Sequence, residues 1–252
     1  MKKHILTIAL AVMMPAMSFA KEEDLTAQET LRKAIAAAGG KGRFNTLKAP
    51  TMWMETCTYH GSDEAIPFVA QYASYWPKRW YRQLIEGQFG LGAAGDQVTM
   101  FDGEGNGQKL SGAMQEGAFQ QTHLAWAQLL YPLMEDEYKL SSIPGVEVDG
   151  KQTVGIKSVH SSGSEVLLYF DKQTFLPLKM QAEVMAMELG GQLVKSETIY
   201  LDHKSFGGAK LPSKYKLLYD GKLMVEAETT AIKVHATIDP AWFGTEGPAR
   251  VR

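Results

Sequence analysis

Short runs in which apolar and polar residues alternate, each closed by a turn-forming pair, recur through most of this 252-residue chain. A period of two puts successive side chains on opposite faces of a strand, so each run can bury one face of a sheet. The alternation is plainest in Val166, Leu168 and Phe170, and again in Leu176, Leu178, Met180, Ala182 and Val184. Asp102-Gly103, Asp149-Gly150, Ser162-Gly163, Gly190-Gly191, Gly207-Gly208 and Asp220-Gly221 supply turns between the runs. Together these signals predict strands over 51–60, 66–75, 79–86, 97–101, 138–142, 153–160, 165–171, 176–188, 193–203, 211–220 and 222–234. Their order is that of a long antiparallel meander.

Two segments carry helical spacing instead. Thr26 followed by Glu29 forms a capping-box pattern, Leu31, Ala34, Ile35 and Ala38 share a face, and Gly39-Gly40 ends a helix over 25–38. A second helix is expected over 113–133, where Phe119, Trp126, Leu130 and Leu133 recur, Gly117 weakens the first turn and Pro132 limits the end. Many strands, two helices and no βαβ alternation argue against a doubly wound sheet. They predict a mainly β chain of the α+β type: a strongly curved antiparallel sheet or open barrel, its inner face covered by a helical lid. With no internal repeat or Pro-rich linker, one domain is expected over 21–252.

The first twenty residues read differently. Lys2 and Lys3 precede the apolar run from Ile5 to Met14, and Ser18-Phe19-Ala20 places small residues where a signal peptidase cuts, so 1–20 is expected to be a cleavable signal peptide. Taking Lys2 and Lys3 from 26 basic residues leaves 24 against 28 acidic ones, about −4, which makes a nucleic-acid partner unexpected. No later stretch has the roughly 18 continuous apolar residues of a membrane helix. Cys57 is the only cysteine, so no intrachain disulfide can form, and no cysteine at the cleavage site awaits a lipid. The expected product is a free periplasmic protein, exported and not lipid-anchored.

Motifs that would carry chemistry are scarce. His60, His123, His160, His203 and His235 show no i, i+4 pairing or zinc-type spacing, so no metal or other cofactor is expected. Glu135-Asp136-Glu137 reads as a solvated loop, and Asp102 to Gly107 lacks the bidentate Glu of a calcium loop because Ala113 stands in its place. The glycine run of Gly87, Gly90, Gly92 and Gly95 lacks the Lys-Ser/Thr of a phosphate cradle and reads as a flexible loop. No Gly-x-Ser-x-Gly is present, Ser161 to Ser164 has the composition of a tight turn, and Cys57 reads as an inert core thiol. A hydrolase or metal-dependent enzyme would need two of the histidines brought together; no enzyme is expected.

The apolar inventory is richer. Trp53, Trp76, Trp80, Trp126, Met52, Met54, Met180, Met185 and Met187 offer adaptable walls suited to an acyl chain as well as to an ordinary core. Here the strand and turn signatures become recognisable: Leu31-Arg-Lys-Ala-Ile-Ala-Ala-Ala-Gly-Gly40, Trp76-Pro-Lys-Arg-Trp-Tyr-Arg82, Met100-Phe-Asp-Gly103, Gly145-Val-Glu-Val-Asp-Gly-Lys151, Leu168-Tyr-Phe-Asp-Lys-Gln-Thr-Phe-Leu-Pro-Leu-Lys179 and Leu211-Pro-Ser-Lys-Tyr215. In their order the chain resembles the outer-membrane lipoprotein-sorting family, the LolA/LolB-like superfamily of periplasmic lipid and lipoprotein carriers. The resemblance implies an unclosed β-barrel with a helical lid over an apolar cavity for acyl chains, and no enzyme.

The function expected on this basis is carriage of a lipid or of lipoprotein acyl chains across the envelope, between an inner-membrane donor and an outer-membrane acceptor. A lipid- or partner-binding module that senses or regulates an envelope process is the alternative. Phe119, Trp126 and Leu130 are expected to line the lid side of the cavity, Trp53, Phe68 and Trp80 its strand side, and Arg79 or Arg82 to hold the lid or a head group.

Overall fold

The computed structural model describes residues 25–78, 80–85, 89–95, 97–102, 106–186, 189–234 and 243, with the backbone alone of Phe44. The first element among the described residues is helix α1 (Ala27–Ala37), started by the anticipated capping box: the Glu29 N–H donates to Thr26 Oγ1 at 3.3 Å while the Thr26 N–H donates to Glu29 Oε2 at 2.9 Å. Ala27, Thr30, Leu31, Ala34 and Ile35 form its buried stripe. At Gly39, with φ of 116°, a Cβ would come within 2.6 Å of the Gly208 carbonyl oxygen, so only glycine lets the chain turn this close to the sheet. A short helix α2 (Lys41–Leu47) follows, one the sequence reading omits because its seven residues carry no apolar period.

The strands are β1 (Thr51–Tyr59), β2 (Ile66–Tyr75), β3 (Trp80–Ile85), β4 (Phe89–Ala94), β5 (Gln97–Asp102) and β6 (Gly107–Lys109), then β7 (Tyr138–Ile143), β8 (Glu147–Val148), β9 (Lys151–His160), β10 (Glu165–Asp171), β11 (Pro177–Ala186), β12 (Gln192–Phe206), β13 (Ala209–Tyr219) and β14 (Lys222–Val234). Helix α3 (Gly112–Gln128) lies between β6 and β7. Tight turns with positive φ at both central residues, Asp149-Gly150 and Asp220-Gly221, join hairpins as their sequence demands.

Hydrogen-bonded neighbours run β6-β5-β4-β3-β2-β1-β14-β13-β12-β11-β10-β9-β7, with β8 paired to β9 and every pairing antiparallel. The chain therefore begins its sheet in the middle, winds out to one edge at β6, crosses through α3 to the far edge at β7, and winds back until β14 meets β1. The two edges stay unpaired with each other, and the connection between them is the helix. This is the curved, unclosed antiparallel barrel with a helical lid. One part of its interior is packed solid by Leu31, Trp76, Trp126, Tyr131, Leu168 and Phe170, among others.

Two expectations need correction. The glycine run read as a flexible loop is strand β4 over its described part, paired to β3 through Ile85↔Phe89 to Trp80↔Ala94 and to β5. Neighbouring strands crowd both glycines: a Cβ at Gly92 would stand 3.1 Å from the Phe101 ring and 3.5 Å from the Phe243 carbonyl oxygen, and one at Gly90 3.1 Å from the Gln83 carbonyl oxygen. The helix placed over 113–133 ends at Gln128, since Leu130 takes a φ of 58° and a 3₁₀ turn, Tyr131–Met134, replaces its last residues. The two-residue β8 and three-residue β6 are too short to carry a period. The proposed signal peptide at 1–20, Arg79, Met187 and His235 lie outside the described residues.

The outer face of β3 to β5 is thus a second packed surface, where Trp80 stacks on Phe243 at 5.2 Å and the Arg82 guanidinium sits 5.7 Å from the Phe101 ring centre. Replacing Gly92 by Val should push Phe101 or the Phe243 backbone away and cost about 1–3 kcal/mol. Urea denaturation of Gly92→Val beside the parent measures it, and an unchanged midpoint would show that the glycines serve no packing purpose.

Candidate functional site

Beside the packed part of the barrel lies a cavity of about 550 Å³, within the size range of sites that hold small ligands. Alternation along β1 sends Thr51, Trp53, Glu55, Cys57 and Tyr59 to its wall, so the cavity follows β1 for about 25 Å. Phe68 and Tyr72 from β2, Tyr81 and Gln83 from β3, Tyr215 and Leu217 from β13, and Val225 and Ile232 from β14 continue the lining. At the Thr51 end the neighbours are buried, whereas Ile66 and Phe89 remain 44% and 42% exposed. The mouth therefore opens at the hairpin ends that carry Tyr59, Ile66 and Phe89.

The lid presents Gln121, Leu124, Ala125 and Gln128 to the cavity, the i, i+3, i+4, i+7 stripe of one helix face. Side chains tie it to β11: the amide of Gln120 donates to the Glu183 carbonyl and that of Gln121 to the Met185 carbonyl at 3.2 Å. Gly117 sits where a Cβ would lie 3.1 Å from the Cβ and Sδ of Met185, so the glycine that weakens the helix also brings it close to the sheet.

Among the described lining residues one carries a carboxyl. Glu55, only 5% exposed, accepts hydrogen bonds from the Tyr215 hydroxyl at 2.6 Å, from Thr229 Oγ1 at 3.3 Å and from Tyr72. A bulge in β14 makes this possible: the register steps from Met54↔Ala231 to Glu55↔Thr229, which leaves Thr229 and Ile232 both on the inner face. Burial pushes the Glu55 carboxyl above the ordinary carboxylate range, and the three hydroxyl donors only partly oppose it. Burial, with Glu55 beside it, also pushes the Cys57 thiol up to about 12, which keeps it protonated and inert.

Of the side chains expected to form the site, Trp53 and Phe68 line the cavity, and Trp53 stacks on Tyr72 at 5.0 Å. Trp80 and Arg82 point to the opposite face of β3, because Tyr81, Gln83 and Ile85 take the inner positions, and neither lines the cavity. Trp126, 2% exposed, is packed edge-on against Trp76 at 4.9 Å and against Tyr81 at 5.9 Å, one layer behind the wall. Leu130 is buried in the same core, and Phe119 packs against that core without lining the cavity. Arg79 lies outside the described residues. Glu55 was missed, although an acid on the strand face shared by Trp53, Cys57 and Tyr59 is a visible irregularity.

Two histidines do come together. The His123 ring on α3 lies 3.9 Å from that of His160 on β9, with Ser164 Oγ 2.9 Å from His123 Nδ1 and Ser162 Oγ 2.8 Å from His160 Nδ1. The Ser162 backbone N–H also donates to His160 Nδ1 at 3.1 Å, so that nitrogen acts as the acceptor of a tight turn. His160 Nε2 faces Glu137 at 3.6 Å, and His60 lies against Glu226 at 3.1 Å. Among the described residues no group of three His, Cys, Asp or Glu side chains is placed to hold a metal, and no helix is long and apolar enough to cross a membrane. The His123–His160 contact fastens the lid helix to the β9–β10 hairpin.

No protein-family model and no curated protein matches the sequence. Solved structures do match in fold. A LolA superfamily protein from Nitrosomonas europaea is 13% identical, with a TM-score of 0.57 over 87% of this chain and 98% of that one. A domain named for outer membrane lipoprotein sorting, from Vibrio parahaemolyticus, is 10% identical with a TM-score of 0.56, covering 86% and 95%. A DUF1329 family protein from Desulfovibrio piger is 11% identical, also at 0.56, covering 86% and 97%. At these identities the likeness is one of fold: the chain has the LolA-like open barrel.

Two outcomes follow from this geometry. Because the folded state holds the Glu55 proton more tightly than the unfolded state, its contribution to stability is present at low pH and is lost as pH rises from the ordinary carboxylate range through the raised value. Asp171, Glu197 and Glu228, whose carboxyls are held low, act in the opposite sense and at lower pH. Urea midpoints of the parent should therefore fall relative to Glu55→Gln as pH rises above the ordinary carboxylate range; parallel curves would mean that the Glu55 proton is held no more tightly in the folded state. Trp126→Ala should cost about 3–5 kcal/mol, and Trp53→Ala, at the open wall, clearly less. Equal losses would place Trp53 in the packed core.

Proposed function

We propose that this protein is a periplasmic carrier that takes lipid or lipoprotein acyl chains into the cavity and hands them on across the envelope. The observation that carries the reading is the cavity itself: a mainly apolar space inside the curved sheet, roofed by the one helix that spans the gap between the sheet edges. Burial of acyl chain there contributes roughly 0.8 kcal/mol per methylene, enough for retention with a chain of moderate length and still reversible. Release follows from the lid, whose ties to β11 are side-chain contacts that can break without disturbing any strand pairing. The apolar rim at Ile66 and Phe89 gives cargo an entry that avoids water.

The LolA superfamily protein and the lipoprotein-sorting domain with the same fold support the reading, as does the signal-like leader for its compartment. Binding in place of catalysis is part of the proposal. The described cavity lining contains no His, Lys, Arg or Asp, and its carboxyl and thiol are both held toward their protonated forms by burial.

Protein purified from periplasm without detergent should carry a stoichiometric lipid or acylated peptide, visible by native mass spectrometry and recoverable in organic solvent. Ala125→Phe, which fills the cavity from the lid side, should lose at least about tenfold in lipid affinity while the fold persists. A protein that is empty and also refuses added lipid overturns the reading. Transfer of bound lipid to acceptor vesicles, measured on the loaded protein, distinguishes a carrier from a module that senses lipid without moving it.

A further inference from the structure

Within the cavity the charge inventory is one-sided. Glu55 is the single carboxyl of the described lining, and no Lys, Arg or His lines it. The three groups that reach the carboxyl, on Tyr215, Tyr72 and Thr229, are neutral hydroxyls. An ionised carboxylate offers about four acceptor positions, so these donors leave a place for one more. A carboxylate in an apolar wall is costly to keep charged unless a cation or a further donor meets it.

The surroundings are built around this group. The β14 bulge opposite Glu55 turns Thr229 inward beside it, and such bulges re-aim side chains where a site needs them. Aromatic rings flank it: Trp53 is the next inward residue on β1, stacked on Tyr72, with the Tyr81 ring 6.5 Å from that of Trp53. A carboxylate among aromatic rings is a combination that attracts ammonium groups, by charge and by the ring faces. An ammonium brought to this depth favours the ionised form of Glu55, whereas a phosphate or carboxylate there would find no basic residue of the described lining to offset its own charge.

We propose that the cavity takes a cationic amphiphile, an alkyl chain ending in an ammonium group, with the ammonium at Glu55 and the chain running out to the mouth at Ile66 and Phe89. Four residues of strand separate Glu55 from Tyr59 at the mouth, about 13 Å, so the charged end leads and the apolar chain follows. This rests on the carrier reading and names the class of ligand that the carrier selects. Phe68, Leu217 and Val225 form the walls along which the chain lies.

The test is calorimetric titration of the lipid-stripped protein with decylammonium, decanol and decanoate, each below its critical micelle concentration at neutral pH. The ammonium should bind at least about tenfold more tightly than the alcohol, and the carboxylate most weakly. Glu55→Gln, its fold checked by circular dichroism, should lose the preference for the ammonium and keep the affinity for the alcohol within about threefold. Equal binding of ammonium and alcohol by the parent, or a preference that survives Glu55→Gln, overturns the proposal and leaves the carrier reading standing. Failure of all three chains to bind overturns both. The ranking on the parent protein decides the matter even where the variant fails to fold.

Discussion

Everything else in this molecule depends on the pairing of β1 with β14. Each half of the sheet is a local meander that its own hairpin turns can assemble, but nothing local brings residue 51 beside residue 234. That contact spans most of the chain, and non-local pairing of this kind is entropically the most demanding event in building the fold. Once made, it turns two ribbons into one wall and holds their edges at a distance that α3 can bridge. It also sets the register in which Trp53, Glu55 and Cys57 face the same space as Thr229 and Ile232. The bulge lies in this pairing, so closure of the sheet and placement of the buried acid are one structural event.

The two faces of the wall obey opposite electrostatic rules. Outside, the half-buried pair Lys179 with Glu197, and the exposed pairs Lys204 and Lys214 with Glu228 and Lys216 with Glu226, form cross-strand ladders over β11 to β14. The exposed pairs contribute little each to stability, yet together the ladders make inversion of a strand costly, since a one-residue slip would bury charges and expose the lining. Inside, one carboxyl stands among neutral hydroxyls and rings. The surface charges thus define which face is outward, and the interior acid is informative because it departs from that rule.

How much of this was legible in the sequence follows from what each signal encodes. The strands from β9 to β14 and helix α1 were readable because alternation, turn pairs and the Thr26–Glu29 box are local. Strand β4 was not, because Gly90 and Gly92 erase one face of the period, and what crowds them, Gln83 of β3 and Phe101 of β5, comes from neighbouring strands. Trp126 carries the same apolar label as Trp53, yet the parity of β1 sends Trp53 to the cavity while the docking of α3 on the sheet, a tertiary contact, buries Trp126 against Trp76 and Tyr81. Arg82 was assigned to the lid on chemistry alone; the parity of β3, fixed by its pairing with β2 and β4, turns it outward. Parity was available in part: Trp53, Glu55, Cys57 and Tyr59 fall two apart, and an acid in that row was a signal present from the start.

The covalent role of α3 has a mechanical consequence. A roof attached along one side swings free, but this one is anchored at both ends, to β6 on one edge and to β7 on the other. It works as a strap. With 17 residues it is about 26 Å long while helical, and that length with its short flanking segments limits how far the two margins of the wall can spread. In the carrier proposed above, the strap would set an upper limit on the girth of the cargo, because widening the barrel beyond that span requires the helix itself to lengthen by unwinding. Girth and greasiness of the cargo would then be selected by separate parts of the fold.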